Sequence, residues 1–249
     1  MAKWTRPKAV PFPNVWRKCR GWRETEDGKI HKFSIEDVPQ DMHEDIIEFL
    51  TEFHFHPTYG SELMKNVKMY EDPTAIKQYQ EKWRKALKDN ISLVAFLEEE
   101  GQGDKRLIVG VNVLKVDYKD HPENFEKIES KKVRSIGQNL AYAGFLVNVY
   151  EIYGVDKLVN ALGLCVHPKF RGQGLGLQIT KCRFEIMKAV DLKCTLTVFV
   201  GTGTQRIALK SGFEVIAEVP SDSYKDEDGS LMYPGLECKS WIAMVKIVE

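Results

Sequence analysis

The chain has 249 residues, 43% of them apolar, which is enough for one sizeable core. Its 36 basic and 36 acidic residues cancel, which argues against a general affinity for nucleic acid or anionic lipid. No apolar run reaches about 18 residues and the N-terminus has no secretory apolar segment, so no membrane span and a cytoplasmic protein are expected.

Residues 1–29 read as a basic, Trp- and Pro-rich arm, and residues 30–249 as one α/β domain. The first 23 residues carry Lys3, Arg6, Lys8, Arg17, Lys18, Arg20 and Arg23, no acid, three tryptophans and three prolines. The preferred reading is an irregular segment whose tryptophans pack on the domain while its charges face water. The alternative is a basic arm that meets an anionic cofactor or partner.

Residues 31–35 alternate like a strand. Val38-Pro39-Gln40-Asp41 then opens a helix whose apolar face is Ile46, Ile47, Phe49, Leu50 and Phe53. A break at His56-Pro57-Thr58-Tyr59-Gly60 is followed by a short helix around 61–69. Asp72-Pro73 caps a further helix to about residue 89. Residues 91–97 and 106–116 read as a β-hairpin joined by 98–104, and residues 120–154 as helical. Then come strand 158–166, a glycine loop, helix 174–189, strand 192–200, helix 202–211, strand 213–219, a polar loop over 221–235 and strand 237–247. Five scattered cysteines are the usage of reduced thiols. His54-Phe55-His56 lacks further ligands, so no metal is expected.

The loop VHPKFRGQGLG, residues 166–176, joins a strand to a helix start. Helix N-termini offer about four unpaired N–H groups and a positive dipole end, a natural seat for phosphate. Gly172, Gly174 and Gly176 let backbone approach a pyrophosphate, and Arg171 adds charge. A P-loop would need Lys-Ser/Thr where Leu177-Gln178 stand. A dinucleotide fingerprint needs G-x-G-x-x-G, and the spacing from Gly172 to Gly176 is wrong for it.

The remaining pattern, R-x-x-G-x-G from Arg171 to Gly176, resembles the acetyl-coenzyme A signature of the GNAT superfamily of N-acetyltransferases. Lys210-Ser211-Gly212-Phe213 looks like that family's closing helix–strand junction. Within it, the stretch from Ile30 to Glu249 is similar to insect-type arylalkylamine N-acetyltransferase-like proteins. Tyr153-Gly154-Val155-Asp156, Ala161 to Val166, Ser211-Gly212-Phe213 and the tail Trp241 to Lys246 carry the likeness. It implies an α/β (α+β) GNAT fold, with a mixed central sheet of about seven strands, splayed at the cofactor site, and helices on both faces. It also implies acetyl-CoA as cofactor, held by Leu164, Cys165 and Val166 on the strand, by Arg171, Gly172, Gln173, Gly174, Leu175 and Gly176 in the loop, and by Thr204.

In the family an amine attacks the thioester directly, and an acidic residue before a proline acts as base. Here Phe55-His56-Pro57-Thr58 puts His56 in that place, and a histidine titrates near neutrality. Glu52, Glu62 and His54 are the substitutes. The family's tyrosine acid, four residues before the glycine of Gly-Phe, is Ala208. Thr202 or Thr204 opens that helix as a cofactor contact or a cap. A covalent route through Cys165 with His167 is disfavoured against a small apolar residue under the cofactor.

The expected acceptor is a small primary amine of arylalkylamine type, with Phe55, Tyr59, Tyr142 and Phe145 as candidate pocket walls beside Phe53. A monomer is expected. Rival readings are a protein N-acetyltransferase and a non-catalytic acyl-CoA-binding GNAT module.

Overall fold

A computed structural model describes residues 3–25, 28–98 and 106–249. Among the described residues eight strands form one sheet: β1 Val15–Glu24, β2 Ile30–Asp37, β3 Leu93–Leu97, β4 Ile108–Tyr118, β5 Lys157–Val166, β6 Cys194–Phe199, β7 Glu214–Pro220 and β8 Ser240–Ile247. Their spatial order is β1-β2-β3-β4-β5-β6-β8-β7. Every neighbouring pair is antiparallel except β5–β6. The helices are α1 His43–His54, α2 Glu62–Asn66, α3 Pro73–Leu87, α4 Lys131–Phe145, α5 Val149–Ile152, α6 Leu175–Ala189 and α7 Thr202–Lys210.

Local chemistry sets the helix starts. Ser61 accepts from the Met64 N–H at 3.3 Å, Asp72 from the Ala75 N–H at 2.9 Å and Ser130 from the Val133 N–H at 3.4 Å, each satisfying a donor that the helix cannot. Pro73 then stands in the first turn of α3, where its missing N–H costs nothing.

Helices cover both faces of the sheet. Ile46, Leu50, Trp83 and Val133 of α1, α3 and α4 pack with Val94, Phe96, Val111 and Val113 on one face. On the other, Leu175, Ile179 and Cys182 of α6 meet Phe33, Ile35, Ala95 and Val109. The alternation of strand side chains divides the two sets.

Two expectations change. The sheet has eight strands, not about seven, because residues 15–24 of the arm, read as irregular, form β1 on the edge beside β2. Trp4 and Trp16 do pack on the domain, but Trp22 is 59% exposed. The arm is fastened by Arg6, whose guanidinium donates to both oxygens of buried Asp37 at 3.0 and 2.8 Å. Asp37 also accepts from the Trp16 indole N–H at 2.8 Å. Second, residues 120–154 are not one helical stretch. Pro122 lies in irregular chain, Ser130 starts α4, and α5 is a separate turn. The hairpin loop expected over 98–104 lies outside the described residues apart from Glu98.

Candidate active site

The site begins with a fault in the sheet. β5 pairs fully with β4 but slips register between Gly163 and Ala161. Its parallel pairing with β6 is registered at Val159–Thr195, near the start of both strands. Beyond that point the strands part. Arg183 of α6, 2% exposed, sits under the crotch. It donates to the Val159 carbonyl at 3.0 Å and the Thr197 hydroxyl at 3.1 Å, and also to the Thr195 hydroxyl. Burial lowers its pKa to about 9. The indole of Trp83 donates to the Leu162 carbonyl at 3.0 Å, and the Asn112 amide to the Gly163 carbonyl at 2.8 Å. These bonds satisfy carbonyls that the slipped ladder leaves over.

A cavity of about 920 Å³ fills the fork. His167 donates its N–H to the Val109 carbonyl at 2.9 Å. By the antiparallel alternation the Cys165 N–H also faces β4, and those of Leu164 and Val166 face the gap. The Val166 carbonyl accepts from Arg171 Nε at 2.9 Å across the start of the loop.

Gly172 and Gly174 both have φ +76°, a conformation that a Cβ disfavours. Gly174 precedes α6 and gives it no side-chain cap, so the first-turn N–H groups of α6 remain for a ligand. A Cβ on Gly176 would come 3.0 Å from Ile207 Cδ1, so this glycine lets α7 pack close. The loop is thus a backbone cradle suited to a pyrophosphate.

Of the residues expected to hold the cofactor, Leu164, Cys165, Val166 and Arg171 line the cavity. So do Gly172, Gly174, Leu175, Gly176 and Thr204. Gln173 does not; its side-chain oxygen accepts from the Arg23 N–H at 3.0 Å. Thr204 is not the cap of α7, whose N-cap position is Gly201; its hydroxyl donates back to the Gly201 carbonyl at 2.8 Å. Thr202 likewise lies inside the helix.

The acceptor-side residues scatter. Phe145 reaches the cavity, joined by Phe53, Tyr79, Phe125 and Tyr150. Phe55 is 1% exposed and stacks on Trp83 in the core. Tyr142 is 59% exposed and lies off the cavity wall. His56 and Tyr59 stack on one another with ring centroids 3.4 Å apart, away from the wall. Nδ1 of His56 accepts from the Thr58 N–H at 3.1 Å, so in the neutral ring the one unprotonated nitrogen is engaged within its own turn.

His54 and Glu62 stand in the wall instead. Burial, with the Arg171 charge adding to it, lowers the His54 pKa to about 4, which leaves a neutral, weakly basic imidazole at pH 7. Glu62 opens α2, and its Oε1 accepts from the Cys238 N–H. Glu52 faces His167 by charge and does not line the fork. Burial pushes the Cys165 thiol up to about 12, and His167 Nδ1 accepts from the Lys169 N–H at 3.2 Å. No thiolate–imidazole pair is set up here.

No protein-family model and no curated protein matches the sequence. Solved structures do. The provisionally named insect arylalkylamine N-acetyltransferase 7 from the yellow fever mosquito Aedes aegypti is 30% identical, covers 99% of this chain and 100% of its own, and superposes with a TM-score of 0.88. The chain belongs to the GNAT superfamily, among the insect arylalkylamine N-acetyltransferase-like proteins. Arylalkylamine N-acetyltransferase 2 from Aedes aegypti (22% identity, 87% of this chain and 99% of that one, TM-score 0.77) shares its fold. So does the polyamine N-acetyltransferase of Drosophila melanogaster (18%, 87% and 100%, TM-score 0.69).

Two parts of this GNAT site carry no motif. Arg183 was legible only as a charged residue on the apolar face of α6, between Ile179 and Ile186. Trp22 also lines the cavity, and only the basic, tryptophan-bearing arm hinted at it. Among the described residues there is no helix long and apolar enough to cross a membrane, and no group of three or more His, Cys, Asp or Glu side chains that could hold a metal ion.

Proposed function

We propose that the chain is an acetyl-CoA-dependent N-acetyltransferase for small primary amines of arylalkylamine type, transferring directly with both substrates bound. The observation that carries this reading is the fork itself. A strand edge whose Leu164 and Val166 N–H groups face the gap leads through the 167–174 loop to an uncapped, glycine-lined helix N-terminus.

In this reading the backbone of Gly172, Gly174, Leu175 and Gly176 holds the pyrophosphate, with Arg171 and the α6 dipole adding positive potential. Leu164 and Val166 hold the pantetheine and acyl end, and Thr204 lines the opposite wall. Bound acetyl-CoA supplies a thioester carbonyl that a neutral amine can attack. The Val166 N–H is the donor placed to polarise that carbonyl, an oxyanion-hole task.

An alkylamine of pKa about 10 arrives as ammonium and must lose a proton. Glu62 takes that role in place of His56, because it lines the cavity and the His56 Nδ1 is already engaged. Phe53, Phe125, Phe145 and Tyr150 give the acceptor end an aromatic wall suited to a ring or a cation.

The test is an amine panel with acetyl-CoA, read by free thiol and by the acetyl mass gain of the amine. Arylalkylamines are expected to turn over faster than polyamines, amino acids or peptides. Faster acetylation of peptides would favour a protein acetyltransferase. Coenzyme A binding with no transfer to any amine would favour a non-catalytic module.

A further inference from the structure

Two side chains of the N-terminal segment stand at the glycine loop although neither belongs to its motif. β1 and β2 run in register from Arg17 to Arg20, and Arg20 then pairs with Lys32 while Glu24 pairs with Ile30. Four residues advance on β1 for two on β2. Gly21, Trp22 and Arg23 thus stand opposite the single residue His31, a surplus of two on β1, and such bulges on edge strands re-aim side chains.

Here they are aimed at the loop. A Cβ on Gly21 would lie 2.6 Å from Gln173 Oε1, and the next N–H but one, that of Arg23, donates to that same oxygen at 3.0 Å. The Trp22 indole lies against Gly174: a Cβ there would fall 2.2 Å from Cε2. Arg23 Nη1 would be 3.3 Å from a Cβ on Gly172. Trp22 is thus part of the cavity wall while remaining 59% exposed, and Arg23 is exposed beside it.

Nothing in the packing of β1 needs this. Its anchorage comes from Trp16 and Cys19 against the α6 cluster and from Arg17, which bonds Gln178 and Glu185. An exposed indole and a guanidinium, both set against glycines that cradle phosphate, are instead the groups that a nucleotide-bearing ligand uses. Guanidinium pairs with phosphate in a strong, charge-assisted contact.

We infer that the bulged end of β1 is a clasp on coenzyme A: Arg23 pairs with a phosphate of the ligand, and Trp22 forms an apolar wall over the entry to the fork. This rests on the reading of the fork as a coenzyme A site. Gln173 is then the bolt that holds the clasp to the loop, and not itself a ligand contact.

The test is calorimetric titration of coenzyme A into the full chain and its variants. Arg23→Ala is expected to weaken binding about tenfold and to flatten its salt dependence, with Arg23→Lys in between. Trp22→Ala should weaken it several-fold. Coenzyme A should quench tryptophan emission in the parent chain and much less in Trp22→Phe, because the other tryptophans are less exposed. Thermal midpoints should stay within a few degrees, since both side chains are exposed. Unchanged coenzyme A affinity in Arg23→Ala, or tighter binding in Trp22→Ala, overturns the clasp and leaves the fork reading intact. A parent chain that binds no coenzyme A overturns the fork reading, and the clasp with it.

Discussion

Trp83→Ala is expected to lower the stability of the fold by about 3–5 kcal/mol, the usual cost of removing a fully buried aromatic side chain. Trp83 is 0% exposed. Its ring stacks on Phe55 at 5.2 Å and also meets Tyr79 and His54. The indole N–H donates to the Leu162 carbonyl, one of the groups left over where β5 slips register. The substitution therefore removes a core wall and orphans a backbone acceptor together. For a chain of this size each kcal/mol is worth roughly 2–4 °C of melting temperature, so Tm should fall by about 10 °C. Trp83→Phe separates the two terms: it keeps most of the packing and loses the hydrogen bond, whose net worth is about 1 kcal/mol. Chemical denaturation read by far-UV circular dichroism measures both variants. A loss below about 1 kcal/mol in Trp83→Ala would show that the fork does not depend on this contact.

The second large effect concerns the proton. Glu62→Gln should reduce kcat/KM for the amine about a hundredfold, the low end of what a positioned base contributes, and leave coenzyme A affinity unchanged. The amide keeps an oxygen that can accept from the Cys238 N–H as the carboxylate does, so the fold should hold. The defect should shrink as pH approaches about 10, where the amine arrives already neutral. His56→Gln, whose ring is engaged with its own turn, should stay within a few-fold of the parent. Initial rates across pH for both variants decide the matter. A hundredfold loss in His56→Gln beside an unaffected Glu62→Gln would return the role to His56.

The contrast between those two residues shows what the sequence could and could not carry. The glycine loop and its flanking strand are local features, so spacing located them, while the Gly212-Phe213 junction and the fold came with the resemblance to the GNAT superfamily that the loop carries. The helix starts at Ser61 and Asp72 are equally local, whereas the reading of 120–154 as helical ran past the Ser130 cap. The acceptor side is not. Counting back from Pro57 points to His56, but a two-residue turn hydrogen bond rotates that ring away, and Glu62 comes to the wall after a further bend and cap. Aromatic content named Phe55, Tyr59, Tyr142 and Phe145 together, yet core packing, a ring stack and exposure remove the first three from the cavity wall.

β1 was hidden for a different reason. Three prolines and a run of basic side chains suggest irregular chain, and its pairing with β2 and its anchorage on α6 are contacts that no window of local sequence contains. The buried Arg6–Asp37 pair is likewise a long-range contact. Arg183 is the converse case. Its position on the inner face of α6 is plain in the sequence, but only the parting of β5 and β6 gives the charge a purpose.

The measurement that bears most directly on direct transfer in the fork is a two-substrate initial-rate analysis, with the parent chain and Cys165→Ala run side by side. Varying acetyl-CoA at several fixed amine concentrations should give intersecting reciprocal plots in both proteins, with no acetylated chain detectable by intact mass when the amine is withheld. Parallel plots, together with an acetyl group on the protein that disappears in Cys165→Ala, would contradict it.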